Sequence, residues 1–181
     1  MHPPEPPELH PRPNPFTKAD VLALLEEGNW LKRPPSAEHS AWLEHAASLL
    51  GQYATDRAGL DAILRLIFEY DAVKIMQLTE SHAVLARHGA REVIRHLALH
   101  LLEDAPLTSD RFKALINMLK EELQLGSRDL FHPIRLALTG RSGEGELDRV
   151  ILLIDEAAAL RFAIPVKSTR VRILEFCAAM D

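Results

Sequence analysis

The sequence predicts an all-α helical bundle, and three observations predict it. Apolar residues recur at intervals of three and four, with little of the alternation that marks strands. The breaks in that pattern fall at Gly, Pro and Ser/Thr/Asp, the residues that stop and start helices. Hydrophobic residues make up 47% and charged residues 26% of the 181 positions, a balance that supplies a core and is untypical of a disordered chain.

Seven of the twelve prolines lie between Pro3 and Pro15. Each removes a backbone donor and fixes its own φ, so residues 1–15 read as an extended, flexible arm. Helical texture then runs from 16 to 181. Thr17 followed by Asp20 caps a helix through Val21, Leu22, Leu24 and Leu25 that stops near Gly28. Pro34 and Pro35 break the chain, and Ser36 caps a second helix carrying Trp42, Leu43, Ala46, Leu49 and Leu50. A third holds Leu60, Ile63, Leu64, Ile67 and Phe68, with its pattern continuing toward Val73, Ile75, Met76 and Leu78.

Thr79 to Glu103 is helical again, with an interruption expected at Gly89, since glycine weakens a helix by about 1 kcal/mol relative to Ala. Pro106 ends that unit, which divides the helical region into two subdomains, about 16–106 and 107–181. Thr108, Ser109 or Asp110 starts a helix with Phe112, Leu115, Ile116, Leu119 and Leu123, closed by Gly126. Pro133 fits the first turn of a short helix through Leu138, and Gly140 suits a left-handed residue past its end. Helices over Glu146 to Leu160 and Ser168 to Met180 complete the chain.

No apolar stretch approaches the roughly 18 residues of a membrane span, and the N-terminus has no secretion signal. A cytoplasmic address with no membrane partner is expected. Cys177 is the sole cysteine, which excludes an intramolecular disulfide and a multi-cysteine zinc site. It shares one side of the last helix with Val171, Leu174 and Ala178, and that side is expected to face the core. Twenty-one Lys and Arg against 26 Asp and Glu give a net charge of −5, so any nucleic-acid contact must be local.

His96, His100 and Glu103 fall at i, i+4 and i+7, but the stripe Ile94, Leu97, Ala98 and Leu101 lies opposite them. The polar row therefore reads as a solvated face, and no metal site or cofactor is expected. Among the aromatics, Trp42 and Phe112 lie in apolar stripes and read as core, whereas Trp30, beside Lys32 and Arg33, reads as an exposed contact. Lys167, Arg170 and Arg172 form the densest basic patch.

The loop "TGRSGEGE" at Thr139 to Glu146 lacks the Gly-Lys-Ser/Thr of a phosphate-binding loop and carries Glu144 and Glu146, so it does not read as a phosphate cradle. Arg135 stands alone among apolar neighbours, where a carboxylate such as Glu121 or Asp129 could pair with it.

Leu130, Phe131, Pro133, Ile134, Arg135, Ala137, Leu138, Thr139 and Gly140 follow in fixed order a helix and a Gly-containing turn, and precede a variable loop and another helix. From about Asp110 to Ile154 this pattern resembles the C-terminal anticodon-binding domain of bacterial glutamyl-tRNA synthetase. The resemblance implies an all-α fold, tRNA as partner, Arg135 at the anticodon bases and Thr139 to Glu146 as the pocket rim. Unstacked bases suit a planar fork of donors. The RNA-binding residues so implied are Arg135, Thr139, Gly140, Arg141 and Ser142, with Lys167 and Arg170 added from the basic patch. Many members of that family carry Thr-Pro or Gly-Pro where this chain has Glu144 and Gly145.

The nucleotide-binding signatures of that synthetase, of the His-Ile-Gly-His and Lys-Met-Ser-Lys-Ser types, do not occur; "VKSTR" at Val166 to Arg170 reads as a helix cap. A non-catalytic tRNA-binding protein is the expectation. The rivals are a helical protein-interaction module and one part of a split synthetase whose catalytic protein is a separate partner.

Overall fold

A computed structural model describes residues 14–103 and 105–181. The first thirteen residues of the proline-rich arm lie outside that range, and Asn14 is anchored, its side-chain amide donating to the Ala47 carbonyl at 2.7 Å. Ten α-helices and one 3-10 turn follow, with no strand among the described residues. They are α1 (Lys18–Glu27), α2 (Ala37–Leu50), the 3-10 turn Gly51–Tyr53, α3 (Arg57–Phe68), α4 (Ala72–Met76), α5 (Thr79–Leu85), α6 (Ala90–His100), α7 (Ser109–Leu123), α8 (Ser127–Thr139), α9 (Glu146–Ala159) and α10 (Thr169–Met180). None is long and apolar enough to cross a membrane.

The expected caps are in place. The Thr17 backbone N–H donates to Asp20 Oδ2 at 2.7 Å, Ser36 Oγ accepts from the His39 N–H at 3.1 Å, and Thr108 and Ser168 cap α7 and α10 in the same way. Gly89 does separate two helices, with φ at 78°. α1 stops at Gly28 as expected, whereas α7 stops at Gln124, two residues before Gly126; the left-handed positions are taken by Asn29 (φ 61°) and Gln124 (φ 54°). Asparagine tolerates that conformation, and Gln124 is held there by its amide, which donates to the Glu121 carbonyl at 2.8 Å.

Pro133 corrects a boundary. The helix begins at Ser127, so the proline sits in its interior and leaves the Asp129 carbonyl without a helical donor.

The apolar interior forms two clusters joined by α9. One gathers α1, α2 and α3 around Val150, Leu153, Ile154 and Ala157; the other gathers α4 to α8 with Ile151 and with Ile173, Phe176 and Met180 of α10. α9 serves both clusters, so its centre, Val150 to Ile154, is a continuous apolar run, while its charged residues lie toward its two ends.

Trp30 belongs to the first cluster and is 1% exposed, not an exposed contact. Its ring stacks on Phe68, centroids 4.9 Å apart and 6° from parallel, because the turn at Asn29 folds it inward while Lys32 and Arg33 remain outside. Trp42 is core as expected, donating from Nε1 to the Leu153 carbonyl at 3.2 Å.

α10 is turned the other way from expectation. Val171 and Leu174 are 37% and 39% exposed, and the core side is Arg172, Ile173, Phe176 and Met180. Cys177 lies at the border, half-buried, with its thiol pushed up by desolvation. His96 Nδ1 and His100 Nε2 each meet Glu122 at 3.0 Å, and no cluster of three metal-ligating side chains occurs among the described residues.

Candidate nucleic-acid interface

Because α8 starts at Ser127, its outer face presents Arg128, His132 and Arg135 at i, i+4 and i+7. With Ser127, Phe131 and Glu144 these residues line an open cavity of about 590 Å³. Burial and the neighbouring charges of Arg128 and Arg135 hold the His132 imidazole below its ordinary value, so it is neutral at neutral pH.

Arg135 is fixed rather than free. Nε and Nη2 donate to the two carboxylate oxygens of Asp148 on α9, each at 2.9 Å, and Nη1 donates to the Gly143 carbonyl at 3.0 Å. The guanidinium lies 4.9 Å from the Phe131 ring centre. Its side chain is 11% exposed. Neither expected partner holds it, for Asp129 is bonded to Arg87 at 2.8 Å. Among the described residues three of its five N–H donors are engaged, which leaves one on each Nη.

The loop after α8 is built from its own polar groups. Gly140 takes φ 88°, and a Cβ there would meet Ile75 Cδ1 at 3.0 Å. Thr139 is 2% exposed, its hydroxyl donating to the Arg135 carbonyl at 2.7 Å and accepting the Arg141 N–H at 3.2 Å. Ser142 donates from N–H (3.0 Å) and Oγ (2.6 Å) to one oxygen of Glu80 on α5. The two donors of Ser142 thus already hold an anion, one belonging to the chain.

Those two bonds, from Oγ first and then N–H, hold the Glu80 carboxyl below its ordinary value of 4.5. A carboxyl lowered by folding adds stability that is present above the ordinary value and lost as pH falls through the folded one. The parent should therefore be more stable than Glu80→Gln at pH 7, and the gap should close on acidification below the lowered value. Thermal melts of both proteins across pH 3 to 7 check this; a gap independent of pH contradicts it.

Of the basic patch, Arg172 is 0% exposed and makes no surface. Nε donates to the Lys167 carbonyl (2.9 Å), Nη1 to those of Leu66 (2.8 Å) and Leu138 (3.0 Å), and Nη2 to that of Ile67, while Tyr70 lies beneath at 4.7 Å. Burial pushes its guanidinium down to about 10, so it remains charged at neutral pH. Lys167 pairs with Glu175 at 2.9 Å and lines a different cavity with Lys74 and Tyr70. Arg170 donates to the Leu102 carbonyl at 3.1 Å. Of the implied RNA-binding residues, Arg135 alone lines the cavity; Thr139 and Gly140 are buried at the end of α8, Arg141 and Ser142 follow on the loop, and Lys167 and Arg170 lie elsewhere.

Comparison with known proteins bears on the class of this face. A family profile described as "Anticodon binding domain" matches residues 15–161, most of the chain. The chain belongs to the anticodon-binding domain family. The glutamate-tRNA ligase of Bacillus subtilis (strain 168) is 32% identical over 141 residues, which cover 78% of this chain and 29% of the relative. That of Carboxydothermus hydrogenoformans is 33% identical over 140 residues, covering 77% and 28%. This anticodon-binding domain thus spans under a third of the length of those relatives. No solved structure matches it with significance.

Sequence reasoning missed Arg128, His132 and Asp148. The i, i+4, i+7 spacing of the α8 row was a usable signal, hidden by starting the helix at Pro133.

Proposed function

We propose that this domain binds tRNA on the α8 face, with Arg135 reading an anticodon base, and that it does not itself aminoacylate the RNA. One observation carries the reading. In a member of the anticodon-binding family, Arg135 is held rigidly by Asp148 and Phe131 beside an open cavity, with a donor free on each Nη. A pre-positioned planar fork suits an unstacked base edge, and Arg128 supplies charge for the flanking phosphate. The non-catalytic part rests on the missing nucleotide-binding signatures. Purified protein incubated with ATP, glutamate and tRNA should give no glutamyl-tRNA, and activity that tracks with the polypeptide overturns it.

Glu144 opposes RNA at the cavity edge. Gly145 has φ −61°, open space where a Cβ would stand, and an N–H that makes no backbone hydrogen bond among the described residues, so it accepts proline without strain. Glu144→Thr with Gly145→Pro should bind tRNA at least as tightly as the parent, since repulsion is relieved and the loop loses freedom. Gel-shift titration at two salt concentrations measures this, and weaker binding by the double variant counts against the assigned edge.

A second reading, docking of a protein such as a separate synthetase catalytic chain, is favoured by the exposed apolar residues Leu99, Leu102, Val171 and Leu174 on and beside α6 and α10. Weak, salt-independent RNA binding by the parent would leave that reading in place.

A further inference from the structure

At the opposite end of α9 from the Arg135 cavity, three segments meet and enclose a second cavity. The Ala163 N–H donates to the Trp30 carbonyl at 2.7 Å, which ties the segment after α9 to the turn after α1. His39 Nε2 donates to the Arg161 carbonyl at 2.9 Å, which ties the same segment to α2. A carbonyl can only accept, so His39 carries its proton on Nε2, and bare Nδ1 faces Ser36 Oγ at 2.8 Å. Phe162 wedges beneath, edge-on to His39, Trp42 and Phe68.

The resulting cavity, about 500 Å³, is lined by Lys32, Arg33 and Arg161 together with Ser36, His39 and Phe162. All three cations are exposed, and no carboxylate pairs with them among the described residues. The carboxylate closest to Arg161 along the chain, Glu156, is engaged by His45 at 3.0 Å. In a chain of net charge −5, this is three cations gathered without a counter-charge among the described residues. The Arg135 cavity, by contrast, has Glu144 on its wall and Asp148 on its arginine.

From these residues we infer that Lys32, Arg33 and Arg161 form a second RNA contact, which holds the sugar-phosphate backbone of the same RNA at a distance from the Arg135 cavity. The inference rests on the tRNA-binding reading above. α9 runs from Glu146, beside the Arg135 loop, to Ala159, beside Arg161. At 1.5 Å per residue, that separates the two cavities by on the order of 20 Å. A nucleic-acid duplex advances roughly 3 Å per base pair, so a stem of about seven base pairs covers the gap. Arg135 would then take the loop of a hairpin while the far cations take phosphates on its stem. Such contacts carry no sequence information; they set orientation and add salt-dependent affinity.

The test compares two probes: a hairpin RNA with a stem of about ten base pairs, long enough to reach the far cavity at roughly 3 Å per base pair, and its loop sequence alone as a short single strand. Each is titrated across a salt series with the parent and with a Lys32→Gln, Arg33→Gln, Arg161→Gln triple variant. The substitutions lie on exposed side chains and leave the backbone ties intact, and circular dichroism verifies the fold. The expected result is that the parent binds the hairpin more tightly than the loop strand, and that the triple variant loses that difference. The variant's hairpin salt slope should fall by about 2 to 3 units, while loop-strand binding stays unchanged. A variant that keeps the parent's hairpin affinity and slope overturns the second contact but leaves the tRNA reading standing. Equal loss on both probes also overturns it, since the residues would then act through the first cavity. Failure of the parent to bind either probe removes the tRNA reading itself.

Discussion

Replacing Arg172 with Met should destabilise the domain by about 4 kcal/mol or more, the largest stability effect expected of any substitution named above or below. The side chain is fully buried and donates to four main-chain carbonyls, on Leu66, Ile67, Leu138 and Lys167. Methionine fills similar volume but donates nothing, and each buried acceptor left without a partner costs about 1–3 kcal/mol. Whole domains are stable by only about 5–15 kcal/mol, so a large part of the folded population is at stake. Arg170→Met is the control. Arg170 is exposed, and its loss should change stability by no more than about 0.5 kcal/mol. Urea denaturation of the three proteins checks the contrast. Equal midpoints for the two variants would show that Arg172 does not brace the core.

Arg135→Ala should weaken tRNA binding by about 1 to 3 kcal/mol, or roughly five- to 150-fold, through loss of a planar donor fork at a base edge. Arg149→Ala, on the exposed side of α9 next to Asp148, should mainly lower the salt dependence. Asp148 gives the comparison its resolving power. If Arg135 were only a structural partner of Asp148, removing it would leave a part-buried carboxylate unpaired and lower stability without a selective loss of RNA affinity. Gel shifts and melting curves on the same samples separate the two roles. A drop in melting temperature with unchanged affinity among folded molecules would sink the base-reading assignment.

Much of the fold was legible because the signals that specify it are local. Thr17 with Asp20, Ser36, Thr108 and Ser168 cap helices through contacts within three residues, and the sequence displays them directly. What was hidden depends on tertiary surroundings. α10 is apolar on two sides, and reading Arg172 as a surface charge assigned the core to Val171, Leu174 and Cys177 instead of Ile173 and Phe176. Nothing local reveals that carbonyls from two other helices await that arginine. Trp30 was misplaced for a related reason: its neighbours Lys32 and Arg33 are exposed, but Asn29 reverses the chain and aims the indole at Phe68. In the candidate site, Arg135 was identified through a family pattern, whereas its true partner Asp148 lies across a loop whose path no periodicity describes.

The placement of α9 and α10 orders the events of synthesis. Helices α1 to α3 pack on one another but complete their core only with Val150 to Ala157, and the cluster built by α4 to α8 is completed by Ile173, Phe176 and Met180. A ribosome making this chain from its N-terminus must extrude most of the domain before either core can close. During that interval the early helices show unburied leucines to the cell, and contacts that span much of the chain slow the final search. Nascent chains stalled before Val150 should therefore engage chaperones, and release past Met180 should let both cores close.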